Sequence, residues 1–78
     1  MAMKRLCELK VSERGTVCAV RDRNRGMEGR LRDLGFTEGC EVACVGRSPL
    51  GDPAAFSVRG AVIALRREDA ACVEVEAE

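Results

Sequence analysis

Along most of the chain apolar and polar residues alternate in short bursts, the period-2 pattern of half-buried strands. One stretch breaks the alternation. Met27, Leu31 and Leu34 fall at i, i+4 and i+7, which predicts one face of a helix beginning at Arg25 and capped by Asn24. Gly26 and Gly29 weaken that helix, Gly29 by about 1 kcal/mol relative to alanine, so packing on a sheet must hold it. Gly35 stands where a left-handed C′ residue is wanted. In such an ending Phe36 is C″ and packs back on Leu31, the C3 residue, and Gly39 turns the chain into the next strand.

Before the helix, Leu6 and Leu9 form a hydrophobic lead-in that closes over the core. Gly15 is a turn residue, and "TVCAV" (16–20) is a strand rich in β-formers. After the helix, "CEVACVG" (40–46) puts Cys40, Val42 and Cys44 on one face and Glu41, Ala43 and Val45 on the other. "RSPLGDP" (47–53) has loop chemistry: its two prolines remove donors and Gly51 permits a tight bend. Phe56 and Val58 alternate with Ser57 and Arg59. Gly60 opens a hairpin into "AVIALRR" (61–67), where Ile63 and Leu65 face the core. "REDAA" (67–71) reads as one helical turn, and "CVEV" (72–75) as a last strand with Val73 and Val75 inward. These elements predict a single, mainly β domain over residues 1–78. Its expected form is a small SH3-like, partly open antiparallel barrel of five short strands, with one short α-helix between the first and second.

At 78 residues the chain buries only about 60% of its unfolded surface, which leaves no room for separate cofactor and substrate domains. Its thirteen basic and thirteen acidic residues cancel overall but not locally. Residues 1–32 hold nine Lys/Arg against four Asp/Glu, a net of +5; residues 33–78 hold four against nine, a net of −5. Arg21, Arg23, Arg25, Arg30 and Arg32 crowd one segment, either a solvated face or a docking patch for an acidic protein surface. Nucleic acid is not the expected partner, because Phe36 and Phe56 are the only aromatics and net charge is zero. No apolar run reaches the ~20 residues of a membrane helix, and no signal-peptide core is visible, so a cytoplasmic location without membrane insertion is expected.

The five cysteines form no CxxC pair, and histidine is absent. Cys40 and Cys44, four apart on a strand, lie about 13 Å apart, too far for a disulfide. Free thiols serving as small core hydrophobes are the expectation, with no resident metal or cofactor; a metal or redox role for the thiolates is the alternative. Without histidine the usual Cys–His and Ser–His nucleophile pairs cannot form, and no phosphate-binding glycine motif is present. What the residues leave is a binding module rather than an enzyme.

The order and spacing of "RLRDLGFTEGCEV", "SPLGDP", "VRGAVIALRREDA" and the terminal "CVEV" resemble the FeoA family, small cytoplasmic SH3-like proteins of bacterial ferrous iron transport. The likeness runs from Leu6 to Val75. The same fold is similar to the C-terminal domain of iron- and manganese-dependent repressors, but no helix-turn-helix accompanies it here. The resemblance implies a non-catalytic accessory protein that binds the cytoplasmic part of the FeoB GTPase permease and modulates transport. The alternatives are a cysteine-based metal or redox sensor, and an interaction module of the repressor type. It also implies contact segments: Arg30, Leu31, Leu34, Gly35 and Phe36, and the loop Pro49, Gly51, Asp52 and Pro53. Leu31 and Leu34, on the apolar stripe, are expected in the core, which leaves Arg30, Arg32 and a partly exposed Phe36 as the stronger contacts. Self-association through an exposed strand edge is open to such a barrel.

Overall fold

The structure, a computed structural model, describes residues 2–21 and 26–78. Its elements in chain order are β1 (Ala2–Arg5), a 3₁₀ turn (Leu6–Glu8), β2 (Arg14–Val20), α1 (Gly26–Asp33), β3 (Glu41–Arg47), β4 (Ala54–Val58), β5 (Ala61–Leu65), α2 (Arg67–Ala70) and β6 (Val73–Ala77). The strands make one antiparallel sheet in the order β1-β6-β2-β3-β4-β5. It curls around a core that includes Leu6, Leu9, Val17, Phe56, Val73 and Val75. Expected alternation and observed burial agree on β3, β4 and β6, where every second residue is buried over most of each strand. The small mainly β domain with an open antiparallel sheet is the architecture the sequence predicts.

The sheet has six strands rather than five. The addition is β1, which pairs with β6 in the register Ala2↔Ala77 to Arg5↔Glu74. None of its four residues is buried, so no hydrophobic alternation marks it. Backbone pairing to β6 holds the strand, assisted by Lys4 Nζ, 2.8 Å from Glu13 Oε2. The final strand also runs two residues past Val75, to Ala77. The expected start of the helix at Arg25 and its Asn24 cap lie outside the described residues, as do Arg23 and the side chain of Met27.

The C-terminal end of α1 has the expected geometry. Gly35 has φ +112°, its N–H donates to the Arg32 carbonyl (3.0 Å), and the Phe36 N–H donates to the Leu31 carbonyl (3.0 Å). Those two bonds define a Schellman ending, with Phe36 and Leu31 both in the core. Two expectations about this segment are overturned. Phe36 is 0% exposed, not a partly exposed contact, because the C″ position folds its ring under the helix. Leu34 is 38% exposed, not core: α1 ends at Asp33, and the reversal at Gly35 leaves Leu34 on the flank of the apolar stripe.

Candidate functional site

Four of the residues expected to make contacts, Arg30, Leu34, Asp52 and Pro53, line two grooves beside α2. Arg30 and Leu34 line a groove of about 580 Å³ together with Ile63, Ala64, Leu65, Arg66, Glu68 and Asp69. Asp52 and Pro53 line a larger one of about 1090 Å³ with Arg5, Cys7, Glu8, Arg47, Arg66, Arg67, Glu68 and Ala71. Arg66 and Glu68 line both, so the two grooves meet at the junction of β5 and α2. Arg32 is exposed on α1 outside both linings. Gly35 is buried; a Cβ there would sit 3.2 Å from Arg59 Cδ. It supports the rim rather than forming it, as Phe36 does.

The 48–53 loop is braced from inside. Its ends are tied by the Ser48 N–H donating to the Pro53 carbonyl (3.0 Å), and its tip turns through the Gly51 N–H donating to the Ser48 carbonyl (2.8 Å), with Gly51 at φ +85°. The Asp52–Pro53 peptide is cis. Arg47, half-buried at the end of β3, reaches three backbone carbonyls: Gly51 (3.3 Å), Cys7 (3.0 Å) and Leu9. One guanidinium thus joins the loop to the 3₁₀ turn, and its planar fork of donors is what makes that possible. Asp52 Oδ1 accepts from the Arg67 N–H (2.9 Å), fixing the loop to the start of α2. Pro49 is exposed, and beside it Leu50 is 94% exposed, a contact candidate that turn chemistry alone conceals.

A third feature joins residues the sequence keeps apart. Arg59 and Gly60, with φ +49° and +81°, form the two-residue turn between β4 and β5, the type I′ arrangement. From it the Arg59 side chain turns back to α1's end. Arg59 Nε donates to Cys40 Sγ at 3.2 Å, and Nη2 donates to Thr37 Oγ1 at 2.9 Å. Thr37 Oγ1 is itself 3.0 Å from Cys40 Sγ. The Thr37 hydroxyl foremost, and the Arg59 guanidinium next, hold the Cys40 thiol below the usual thiol range. All five cysteines are free; Cys7 and Cys44 are buried as expected of core thiols, whereas Cys18, Cys40 and Cys72 are half-buried. Among the described residues no three His, Cys, Asp or Glu side chains come together as a metal site.

Cys40 should therefore alkylate faster than the other four thiols, and stay reactive to lower pH. Iodoacetamide labelling mapped by mass spectrometry across pH should show its rate falling only as pH drops through the lowered pKa. Arg59→Ala should move that midpoint up toward an ordinary thiol, about 8.5. A Cys40 midpoint that Arg59→Ala leaves unmoved would count against the assignment.

Comparison with known proteins adds the following. The FeoA domain family matches residues 4–77. A Porphyromonas gingivalis Fe(2+) transport protein A/Fe(2+) transporter FeoB fusion protein is 37% identical over 73 residues, covering 92% of this chain; the chain spans only 8% of that protein's length. A zinc-complexed FeoA from Stenotrophomonas maltophilia, described as a procaryotic SH3 domain protein, superposes with a TM-score of 0.82 at 36% identity, over 91% of this chain and 87% of that one. A manganese-dependent transcriptional repressor in complex with manganese shares the fold alone, with a TM-score of 0.88 at 16% identity, over 100% of this chain and 38% of the other.

Proposed function

Because the chain belongs to the FeoA family, we propose that it is a non-catalytic accessory protein of bacterial ferrous iron uptake, docking on the cytoplasmic part of a FeoB-type GTPase permease and modulating transport. The observation that carries this reading is the fusion: in the Porphyromonas gingivalis relative a domain of this kind shares one chain with the transporter. A covalent link maintains a high effective concentration, which serves two parts that touch. In this chain the docking face is the rim around the β5–α2 junction. It comprises Arg30 and Leu34 from the end of α1 and Asp52 and Pro53 from the loop, extended by the exposed neighbours Arg32, Pro49 and Leu50, with Gly35, Gly51 and Phe36 holding the two segments in shape. No described helix is long and apolar enough to cross a membrane, which suits a domain that meets the permease outside the bilayer.

The test is calorimetric titration with the permease's cytoplasmic domains. The double substitution Arg30→Glu/Arg32→Glu should weaken binding at low salt by about tenfold, roughly 1.4 kcal/mol, with the difference shrinking as salt rises. Absence of binding by the unmodified protein, together with unchanged ferrous iron uptake on deletion, would end this reading. The lowered Cys40 pKa favours a second one, a thiolate-based metal or redox sensor. Native mass spectrometry under anaerobic conditions separates the two: an apo mass after incubation with ferrous or zinc ions removes the metal arm.

A further inference from the structure

The two edges of the sheet differ. At β1, Lys4 is paired with Glu13 and Arg5 with Glu8, so charged side chains line that edge and guard it. At β5 the sequence is "AVIAL", without a charge, a proline or a bulge against β4. The two-residue Arg59–Gly60 turn makes Val58↔Ala61 the closing, hydrogen-bonded pair, and the alternation continues along the register Ser57↔Val62, Phe56↔Ile63, Ala55↔Ala64. Val62 and Ala64 therefore direct their N–H and C=O groups away from β4, toward the open edge. Val62 is also 67% exposed. The groove beside this edge is lined by the consecutive residues Ile63, Ala64, Leu65 and Arg66. Consecutive residues of a strand point to opposite faces, so a groove touched by all four follows the backbone edge itself.

We propose that β5 is a strand-addition site whose occupant is an extended segment of a partner protein, apolar in its middle and acidic at its ends. Main-chain pairing to Val62 and Ala64 supplies the attachment, and alternate side chains of the segment meet Leu34 and Ile63. Charge selects the occupant. β5 is bracketed by Arg59 on one side and by Arg66 and Arg67 on the other, and Arg30 lines the groove; Glu68 and Asp69, one step beyond, offset only part of this. Among the described residues Arg30, Arg66 and Arg67 make no ion pair. A second copy is the poorer fit. Antiparallel β5–β5 pairing about Ile63 would set Arg59 of each chain near Arg66 and Arg67 of the other, like charges at both ends. This inference deepens the docking reading above and rests on it for the identity of the partner, but its test does not need the permease.

The probe is the synthetic peptide Glu-Glu-Val-Thr-Val-Thr-Val-Glu-Glu, titrated into the full chain while amide exchange is followed by NMR. The expected result is at least tenfold slower exchange at Val62 and Ala64. The same peptide with lysine in place of glutamate, or N-methylated at alternate residues, should have no such effect. Ala64→Pro should abolish protection and leave the β4–β5 ladder intact, since the N–H it removes has no partner in the sheet. If that variant does not fold, the N-methylated peptide carries the same comparison without altering the protein. Three results would overturn the proposal: no protection at these amides, equal protection by the lysine peptide, or prior protection that rises with protein concentration, the mark of a second copy. Loss of permease binding with retained peptide protection would instead fault the docking reading alone.

Discussion

Replacing Phe36 with alanine should cost about 3–5 kcal/mol of folding stability, the range for truncating a fully buried aromatic ring. For a domain of this size total stability is expected to be about 4–12 kcal/mol, so the loss is a large share of it. The ring has no exposure, it is pinned beneath α1 by the Schellman bonds from Gly35 and Phe36, and α1 contains glycines that give it little stability of its own. Leu34→Ala should cost under about 1 kcal/mol, because that side chain is on the surface. Urea unfolding of the two variants, read as a midpoint shift at constant slope, distinguishes the observed arrangement from the apolar stripe. Equal losses would mean that Leu34 is as much core as Phe36.

Arg47→Ala should cost about 3 kcal/mol, although no salt bridge is lost. The guanidinium is the donor to the Cys7, Leu9 and Gly51 carbonyls, and without it those acceptors are left short of partners on a surface only partly open to water. Arg47→Lys should recover less than half of the loss, since a point ammonium cannot span three acceptors as the fork does. The loop should report the damage first: amide exchange at Gly51 ought to accelerate in both variants before global unfolding does. If Arg47→Ala left both stability and Gly51 exchange unchanged, the brace would be incidental, and the 48–53 loop would owe its shape to the Ser48–Pro53, Gly51–Ser48 and Arg67–Asp52 bonds.

Much of the fold was legible because it depends on local rules. Alternation marks β3, β4 and β6, and the glycine-terminated helix predicts the Schellman bonds and puts Phe36 in the core with Leu31. What escaped did so for identifiable reasons. β1 has no buried residue, and only the vacant side of β6, seventy residues away in sequence, makes it a strand. Helical periodicity carries the apolar stripe on to Leu34, whereas the helix stops at Asp33. The contact segments near Arg30 and Asp52 follow from the family likeness, and Arg30, Leu34, Asp52 and Pro53 line grooves that share Arg66 and Glu68. Cys40, Thr37 and Arg59 could not be joined from spacing, because Arg59 reaches Thr37 across 22 residues.

The place of β6 bears on how the molecule is made. β6, synthesised after the other five strands, lies between the first two, with Val73 and Val75 buried in the core. Until it emerges, β1 has no neighbour and the outer side of β2 stands open. The nascent chain can form the local β3–β4–β5 meander early, but sheet closure must wait for residues 73–77. Such non-local closure slows folding. Removing residues 73–77 would therefore take away not a frayed end but an interior strand, and would leave β1 unpaired.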